Sequence, residues 1–172
     1  MKLHYKGKYD LNPESLPHGE HKQGAVRFKE AADSKQMGLI ANGLCIVIMI
    51  LLGIPAFIRC RDVISEHIWQ LVFGSLSALL VLFPHEILHA LCFKEDVYLY
   101  TNWSQGMLFV VGPETMSKKR FIGMSMLPNI VFGILPYIIG MIYPNLIFFT
   151  ALGIFATGMG AGDYYNVFNA LM

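Results

Sequence analysis

Long uncharged stretches alternate with short charged ones along this chain. The first of them, residues 37–58, carries no formal charge, and in a helix it is long enough to cross a hydrocarbon core of about 30 Å. The last, residues 121–172, is too long for one crossing, and Tyr143-Pro144-Asn145 is its natural break. Because a backbone in lipid must satisfy its own hydrogen bonds, these stretches are predicted to be helical. The chain is therefore expected to be an all-α polytopic membrane protein with four transmembrane helices, at about 37–58, 67–93, 121–142 and 146–168.

The segments outside the predicted spans differ from one another. Residues 1–36 are polar and are predicted to form a cytosolic N-terminal segment, followed by a membrane domain over residues 37–172. The loop of residues 94–120, between the second and third spans, contains YLYT and MLFVV on either side of NWSQG. This pattern predicts two short strands around a glycine-containing turn, a β-hairpin-like loop. Two interpretations of that loop stay open: a hairpin lying at the membrane interface, or an edge strand that pairs with an extended peptide.

Composition and charge agree with a membrane location. The 172 residues are 55% hydrophobic and 15% charged, with a mean hydropathy of +0.49, which is too apolar for an ordinary soluble domain. The net charge of +1 gives no reason to expect a nucleic-acid partner. The side holding the N-terminal segment and the loop 94–120 would carry 11 Lys and Arg residues, against 2 on the other side. This asymmetry predicts a cytosolic N-terminus.

The second predicted span contains one formal charge, Glu86, within the sequence HEILH. This stretch fits the HExxH pattern, in which two histidines one helical turn apart project from one face and can bind one metal ion. Glu86 is close enough to take a proton from a metal-bound water. The alternative is a pair of ordinary helix histidines, since the pattern arises by chance in roughly one such sequence in a hundred. The location within a span disfavours that alternative, because ionisable groups in lipid are costly and usually functional.

A third ligand is needed, since a catalytic zinc ion usually takes three protein ligands. Asp163 is the other charged residue within a predicted span. Asp163 lies 18 residues from Asn145 and His85 lies 18 residues from His67, which places both at the same depth, about 27 Å from the outer side. Cys92 is a rival on the helical face of His85, but it is about 10.5 Å away along the axis. Asp163 is therefore the predicted third ligand, and zinc the predicted cofactor.

With HEILHA and the later GAGD identified, the chain resembles a family of small bacterial integral membrane proteins called putative zincin peptidases. Their active-site plan is similar to that of site-2 proteases, which are intramembrane metalloproteases. The resemblance runs from MKLHYKGKY to GAGDYYN, nearly the whole chain, and it implies a zinc-dependent metalloendopeptidase in a bacterial cytoplasmic membrane. The chain departs from the site-2 protease pattern. In that pattern the helix that carries the aspartate ligand has a Leu followed by Asp-Gly. Here the order is Gly162-Asp163, followed by Tyr164.

The main hypothesis is an intramembrane zinc metalloprotease that hydrolyses peptide bonds of membrane-associated proteins near the cytosolic face. His85, His89 and Asp163 would hold zinc, and Glu86 would act as the general base. The expected partners are the lipid bilayer and a membrane protein or peptide substrate. Further candidates for substrate contacts are Asn129, Asn166, Phe109 and Val110.

Two other classes of function compete with this hypothesis. A non-catalytic zinc-binding membrane scaffold or partner protein would use the same ligands, but Glu86 would be dispensable. An ion or proton pathway would place polar residues through the whole membrane depth, whereas here they cluster at one end. That clustering disfavours transport.

Overall fold

A computed structural model describes residues 1–20, 24, 31 and 34–172. Within this part of the chain the fold is mostly helical, with one small sheet and two short 3-10 turns. The elements in chain order are β1 (Leu3–Lys8), α1 (Ser34–Cys60), α2 (Ile68–Leu91), β2 (Val97–Asn102), β3 (Met107–Val111), α3 (Lys118–Pro128), a π segment (Asn129–Ile134), α4 (Leu135–Ile142), α5 (Ile147–Met159) and α6 (Ala161–Leu171).

The long apolar helices correspond to three of the four predicted spans. Among the described residues, three helices are long and apolar enough to cross a membrane: Gln36–Cys60, Ile68–Leu91 and Lys118–Ile142. The last of these is the continuous run of α3, the π segment and α4. The general prediction of a helical membrane protein is thus supported by the length and composition of these helices.

The predicted fourth helix is not found as one continuous helix. It is divided into α5, of 13 residues, and α6, of 11 residues. At about 1.5 Å per residue, α5 covers roughly 20 Å, less than a hydrocarbon core of about 30 Å. The break lies at Gly160, whose ψ of 13° departs from helical geometry. A Cβ there would overlap the side-chain oxygen of Asn129. The close approach of a neighbouring helix therefore requires glycine at the break.

The sheet joins the N-terminal segment to the loop between α2 and α3. β2 and β3 pair antiparallel around the turn Trp103–Gln105, which Gly106 closes with a φ of 65°. These are the two strands that the sequence predicted around NWSQG. β1 was not predicted from the sequence; it pairs parallel with the other edge of β2. The polar N-terminal segment therefore begins as part of the sheet.

Two apolar clusters hold the site-bearing elements together. The first joins α2 to α5 through Ala78, Leu152 and Ala156. Gly74 lets these helices approach closely, since a Cβ there would overlap the Phe148 carbonyl oxygen. The second cluster joins the end of α2 to the sheet and to α3; its buried members are Ala90, Phe93 and Val97, packed against Val110, Met116 and Met124. Together they fix the last turns of α2 between α5 and β3.

Candidate metal centre

The HEILH residues occupy the last turns of α2, where their side chains meet α6. The rings of His85 and His89 lie 4.8 Å apart in an edge-to-face arrangement. Asp163, in the first turn of α6, extends its carboxylate to both rings. Its Oδ2 lies 3.0 Å from His85 Nε2, and its Oδ1 lies 3.2 Å from His89 Nε2. The structure thus brings together the three residues predicted as ligands, although His85 and Asp163 are 78 positions apart in the chain.

The backbone of α3 fixes the orientation of His89. Its Nδ1 donates to the carbonyl oxygen of Met124 at 3.0 Å. In an α-helix this carbonyl would accept from the N–H of residue 128, but residue 128 is a proline and has no N–H. Pro128 therefore leaves the Met124 oxygen available to the imidazole. With Nδ1 as the donor, Nε2 is the ring nitrogen left to bind a metal ion.

The contact between His89 and Asp163 calls for a cation. A neutral imidazole that donates through Nδ1 presents a lone pair at Nε2, and here that lone pair faces a carboxylate oxygen 3.2 Å away. Two lone pairs at this distance repel unless a proton or a metal ion lies between them. The contact is therefore stable when a proton or a metal ion lies between His89 Nε2 and the Asp163 carboxylate.

The donor set fits zinc. In a tetrahedral site with bonds of about 2.0–2.1 Å, neighbouring ligand atoms lie about 3.3 Å apart. Each Nε2 lies 3.0 or 3.2 Å from a different oxygen of Asp163, so the three side chains are close enough to share one ion. Two imidazoles and one carboxylate are also a common ligand set for catalytic zinc. His85, His89 and Asp163 would hold the ion, and three protein ligands leave one position for another molecule.

Glu86 occupies a different position from the other three residues. One ligand-type atom each of His85, Glu86 and His89 lies within 4.8 Å of the others. The Oε2 of Glu86 accepts a hydrogen bond of 3.0 Å from the backbone N–H of Val110 in β3, and the side chain is buried. This contact directs the carboxylate toward the sheet edge. Glu86 is therefore close enough to the two imidazoles to share a metal site with them, and it is also held by β3.

The outer edge of β3 faces this carboxylate. Val110 is paired with Leu99 of β2 in the ladder. Successive residues of a strand direct their N–H and C=O groups to opposite sides. Because the Val110 N–H points to Glu86, the backbone groups of Val110 and Leu108 face away from β2. This places an open strand edge along the candidate centre.

The four predicted substrate contacts lie in different surroundings. Phe109 stacks on Tyr100 at 5.6 Å and meets the ring of Tyr9 edge-on at 5.3 Å, so its side chain lies on the sheet face opposite that of Val110. Asn129 is buried and donates to Asp163 Oδ2 at 2.7 Å and to the Ser125 carbonyl at 3.0 Å. Asn166 is half-buried on α6, about one turn beyond Asp163. Their contacts with a substrate, and those of Val110, stay predictions.

The groups that orient the candidate ligands were not predicted from the sequence. These groups depend on backbone geometry: the Met124 carbonyl, the missing N–H of Pro128, and the close approach of Asn129 to Gly160. The proline between apolar residues was a usable signal, because a missing N–H always leaves one helix carbonyl in need of another donor. Nothing in the sequence indicated that the donor would be His89.

Comparison with known proteins identifies one family. The model of a family described as "Putative zincin peptidase" matches residues 78–172. The matched part runs from the middle of α2 to the end of the chain and contains His85, Glu86, His89 and Asp163. The N-terminal part of the predicted resemblance lies outside this match. No curated protein and no solved structure matches the chain.

Proposed function

Because the chain belongs to the family of putative zincin peptidases, we propose that it is an intramembrane zinc metalloendopeptidase of the HExxH type, acting on membrane-associated proteins. The observation that carries the proposal is that the two carboxylates near the imidazoles have different contacts. Asp163 contacts both imidazoles, whereas Glu86 lies beside them and is held by Val110. A ligand set with a separate carboxylate next to it is the arrangement that hydrolysis of a peptide bond requires.

The reaction uses the two functions of this arrangement. Bound zinc supplies a Lewis acid that polarises the scissile carbonyl and acidifies the attacking water. Because the Val110 N–H occupies Oε2 of Glu86, we assign the proton of the attacking water to Oε1. The water oxygen forms its bond to the carbonyl carbon as that proton leaves. Glu86 then gives the proton to the departing nitrogen as the C–N bond breaks.

The substrate would bind as an added strand on β3. The Val110 N–H is bonded to Glu86, so the edge offers the peptide the Val110 C=O and the N–H and C=O of Leu108, which face away from β2. An extended peptide pairing with this edge would have its carbonyl groups next to the candidate centre. A transmembrane helix has its own carbonyls hydrogen-bonded, so the substrate must be locally unwound here. Phe109 supports this edge through its contacts with Tyr100 and Tyr9.

The proposed orientation places the site near the cytosol, in a bacterial cytoplasmic membrane with four crossings. The candidate centre lies at the end of α2 that leads into the loop 94–120, and this side carries 11 of the 13 Lys and Arg residues. In this topology α5 and α6 together return the chain to the cytosolic side. A reporter fused after Lys119 should read cytosolic, and one fused after Asp62 external. The opposite result would refute this orientation.

The test of the proposal compares the wild type with Glu86→Gln in lipid vesicles. The probe is a set of synthetic single-span peptides with Gly-Pro segments placed at different depths, and mass spectrometry detects cleavage. Glu86→Gln keeps the size and the acceptor for Val110 but removes the base. Zinc content should be unchanged, and cleavage should fall by a factor of about 10² or more. Glu66→Gln, in the exposed turn between α1 and α2, is the matched control and should cleave as the wild type does.

The alternative is a zinc-binding membrane scaffold without catalysis. It uses the same ligands, and the bond between Glu86 and Val110 would then only attach α2 to the sheet. Cleavage by Glu86→Gln at the wild-type rate would refute the proposed role of Glu86. A wild-type protein that binds zinc but cleaves none of the peptides would favour the scaffold.

A further inference from the structure

Asn129 is a buried polar residue that the proposed reaction does not use. It is the first residue of the π segment, directly after Pro128, and its exposed fraction is 1%. Its Nδ2 donates two hydrogen bonds, to the Ser125 carbonyl oxygen at 3.0 Å and to Asp163 Oδ2 at 2.7 Å. It thus connects the third apolar helix to the carboxylate that contacts both imidazoles.

The backbone around Asn129 determines which way its amide points. The Asn129 backbone N–H bonds to Met126, three residues back, rather than to Ser125 as in a regular α-helix. The Ser125 oxygen accepts from the side-chain amide instead. A flipped amide would place Oδ1 against two acceptor oxygens, so one orientation alone satisfies both partners. The N–H donor is therefore locked toward Asp163.

The other side of the amide meets the break between α5 and α6. The Oδ1 of Asn129 is buried and has no hydrogen-bond partner among the described residues. It lies against Gly160, where a Cβ would overlap it. The missing side chain at residue 160 makes the slot that holds Asn129. The orphan oxygen is the cost of directing the amide N–H toward the carboxylate.

We propose that Asn129 is a positioning residue for the metal ligand Asp163, and that Gly160 provides the space that this role requires. The inference rests on the zinc site of the proposed function. A carboxylate held by imidazoles alone can rotate, whereas a third fixed donor on Oδ2 sets the plane of its two oxygens. An amide N–H provides this restraint without competing for the metal ion. Removal of such a partner typically weakens metal binding by about 10- to 100-fold.

The first test replaces the amide of Asn129 with an isosteric carboxylate, as Asn129→Asp. This change removes the donor and places an oxygen against two acceptors, so the zinc Kd should rise by about 10- to 100-fold. Chelator competition on the full-length protein in detergent measures it. The visible absorption of the Co²⁺-loaded protein should also change, because that spectrum follows the ligand geometry. A residue with only a packing role would lower the thermal unfolding midpoint and leave the Co²⁺ spectrum as in the wild type.

The second test uses two glycines at which a Cβ would overlap a neighbouring side chain. Gly160→Ala displaces the Asn129 amide and should weaken zinc binding. Gly140→Ala is the packing control, because its Cβ would overlap both the hydroxyl oxygen and the backbone nitrogen of Thr150, on a different stretch of α5. Both substitutions should lower the unfolding midpoint, and Gly160→Ala alone should raise the zinc Kd. This pair decides the question if Asn129→Asp does not fold.

The outcomes separate this inference from the proposed function. A wild-type protein that binds no zinc overturns the zinc site itself. A wild type that binds zinc, with Asn129→Asp and Gly160→Ala both within about threefold of its Kd, overturns the positioning role and leaves the proposed function standing. An equal rise in Kd for Gly140→Ala and Gly160→Ala would also overturn it, because the effect would then be one of general packing.

Discussion

Two regions of the helical bundle place polar side chains among apolar neighbours, and they differ in how many polar partners those side chains have. Where α5 crosses the π segment and α4, Thr157 and Thr150 lie against Gly133 and Gly140. Their buried hydroxyls have no hydrogen-bond partner within the described ranges. At the break between α5 and α6, the Asp163 carboxylate contacts two imidazoles and accepts from Asn129.

The difference follows from the cost of burying each group. An unpaired hydroxyl costs a few kcal/mol at most by mutational measures, whereas an unpaired carboxylate costs far more. Thr157 and Thr150 can therefore fill the space over Gly133 and Gly140 as small side chains. These four residues are called the packing seam below. Asp163 is retained among apolar helices by fixed partners. The number of fixed partners thus distinguishes the candidate centre from a polar residue used for packing.

The largest expected effect comes from removing the charge at Asp163. Asp163→Asn keeps the shape but removes the anionic ligand, so zinc affinity should fall by more than about 100-fold, beyond the effect of losing an outer partner. Asp163→Glu should recover part of it, because its carboxylate is longer by one methylene. The measurement is the zinc Kd by chelator competition.

The packing seam supplies the control for this comparison. Thr157→Val removes a buried polar group of similar size and should bind zinc as the wild type does. If Asp163→Asn also binds as the wild type does, the third ligand lies elsewhere and Asp163 has a packing or positioning role. The distinction between the two regions would then fail.

An intermediate effect is expected from Pro128→Ala. Alanine restores an N–H that competes with His89 for the Met124 carbonyl, so zinc should bind about tenfold more weakly. Alanine also favours a regular helix, so stability should not fall in parallel. Pro136→Ala, in α4 away from the imidazoles, is the matched control and should leave the Kd unchanged. Equal zinc affinities for both variants would show that the Met124 contact does not orient His89.

The smallest effect concerns a carboxylate outside the spans. Glu114 accepts from the backbone N–H groups of Lys94 and Glu95 and pairs with Arg120. The Arg120 guanidinium and these N–H groups lower the pKa of Glu114 from 4.5 to about 2. A lowered pKa means that the stabilisation is present above pH 4.5 and is lost as the pH falls toward 2.

Thermal unfolding of Glu114→Gln at different pH values tests the contribution of this carboxylate to stability. At neutral pH the unfolding midpoint of the variant should be roughly 2–4 °C below that of the wild type. The gap should close as the pH falls from about 4.5 to about 2, because the wild-type carboxyl becomes neutral. A gap that persists at pH 2 would mean that the charge of Glu114 does not contribute.

The sequence predicted features that depend on length, local pattern or depth. Three apolar stretches became long helices, and the strands around NWSQG pair as expected. Equal depth counts placed Asp163 near His85, and the structure has their polar atoms 3.0 Å apart. These inferences succeed because a hydrocarbon core fixes helix length and position along the membrane normal.

Features that depend on distant partners were beyond the sequence. β1 looked like part of a polar segment because its pairing with β2 is non-local. The apolar run after residue 146 looked continuous, and the contact of Gly160 with Asn129 of another helix could not be read from it. The donor role of Asn129 also depends on Pro128 and on the lost α-helical bond to Ser125. Each of these needs the packing of two elements to be known first.

The parallel pairing of β1 with β2 has a consequence for the timing of synthesis. Lys2 and Asp96, which are bonded at the start of this pairing, are 94 residues apart. At about 5–20 residues per second, a ribosome takes roughly 5–20 seconds to make that interval. In the proposed orientation, the first strand must therefore wait in the cytosol while α1 and α2 enter the membrane. The β2–β3 hairpin follows, and Asp163 arrives later still, so the candidate centre is among the last parts of the molecule to assemble.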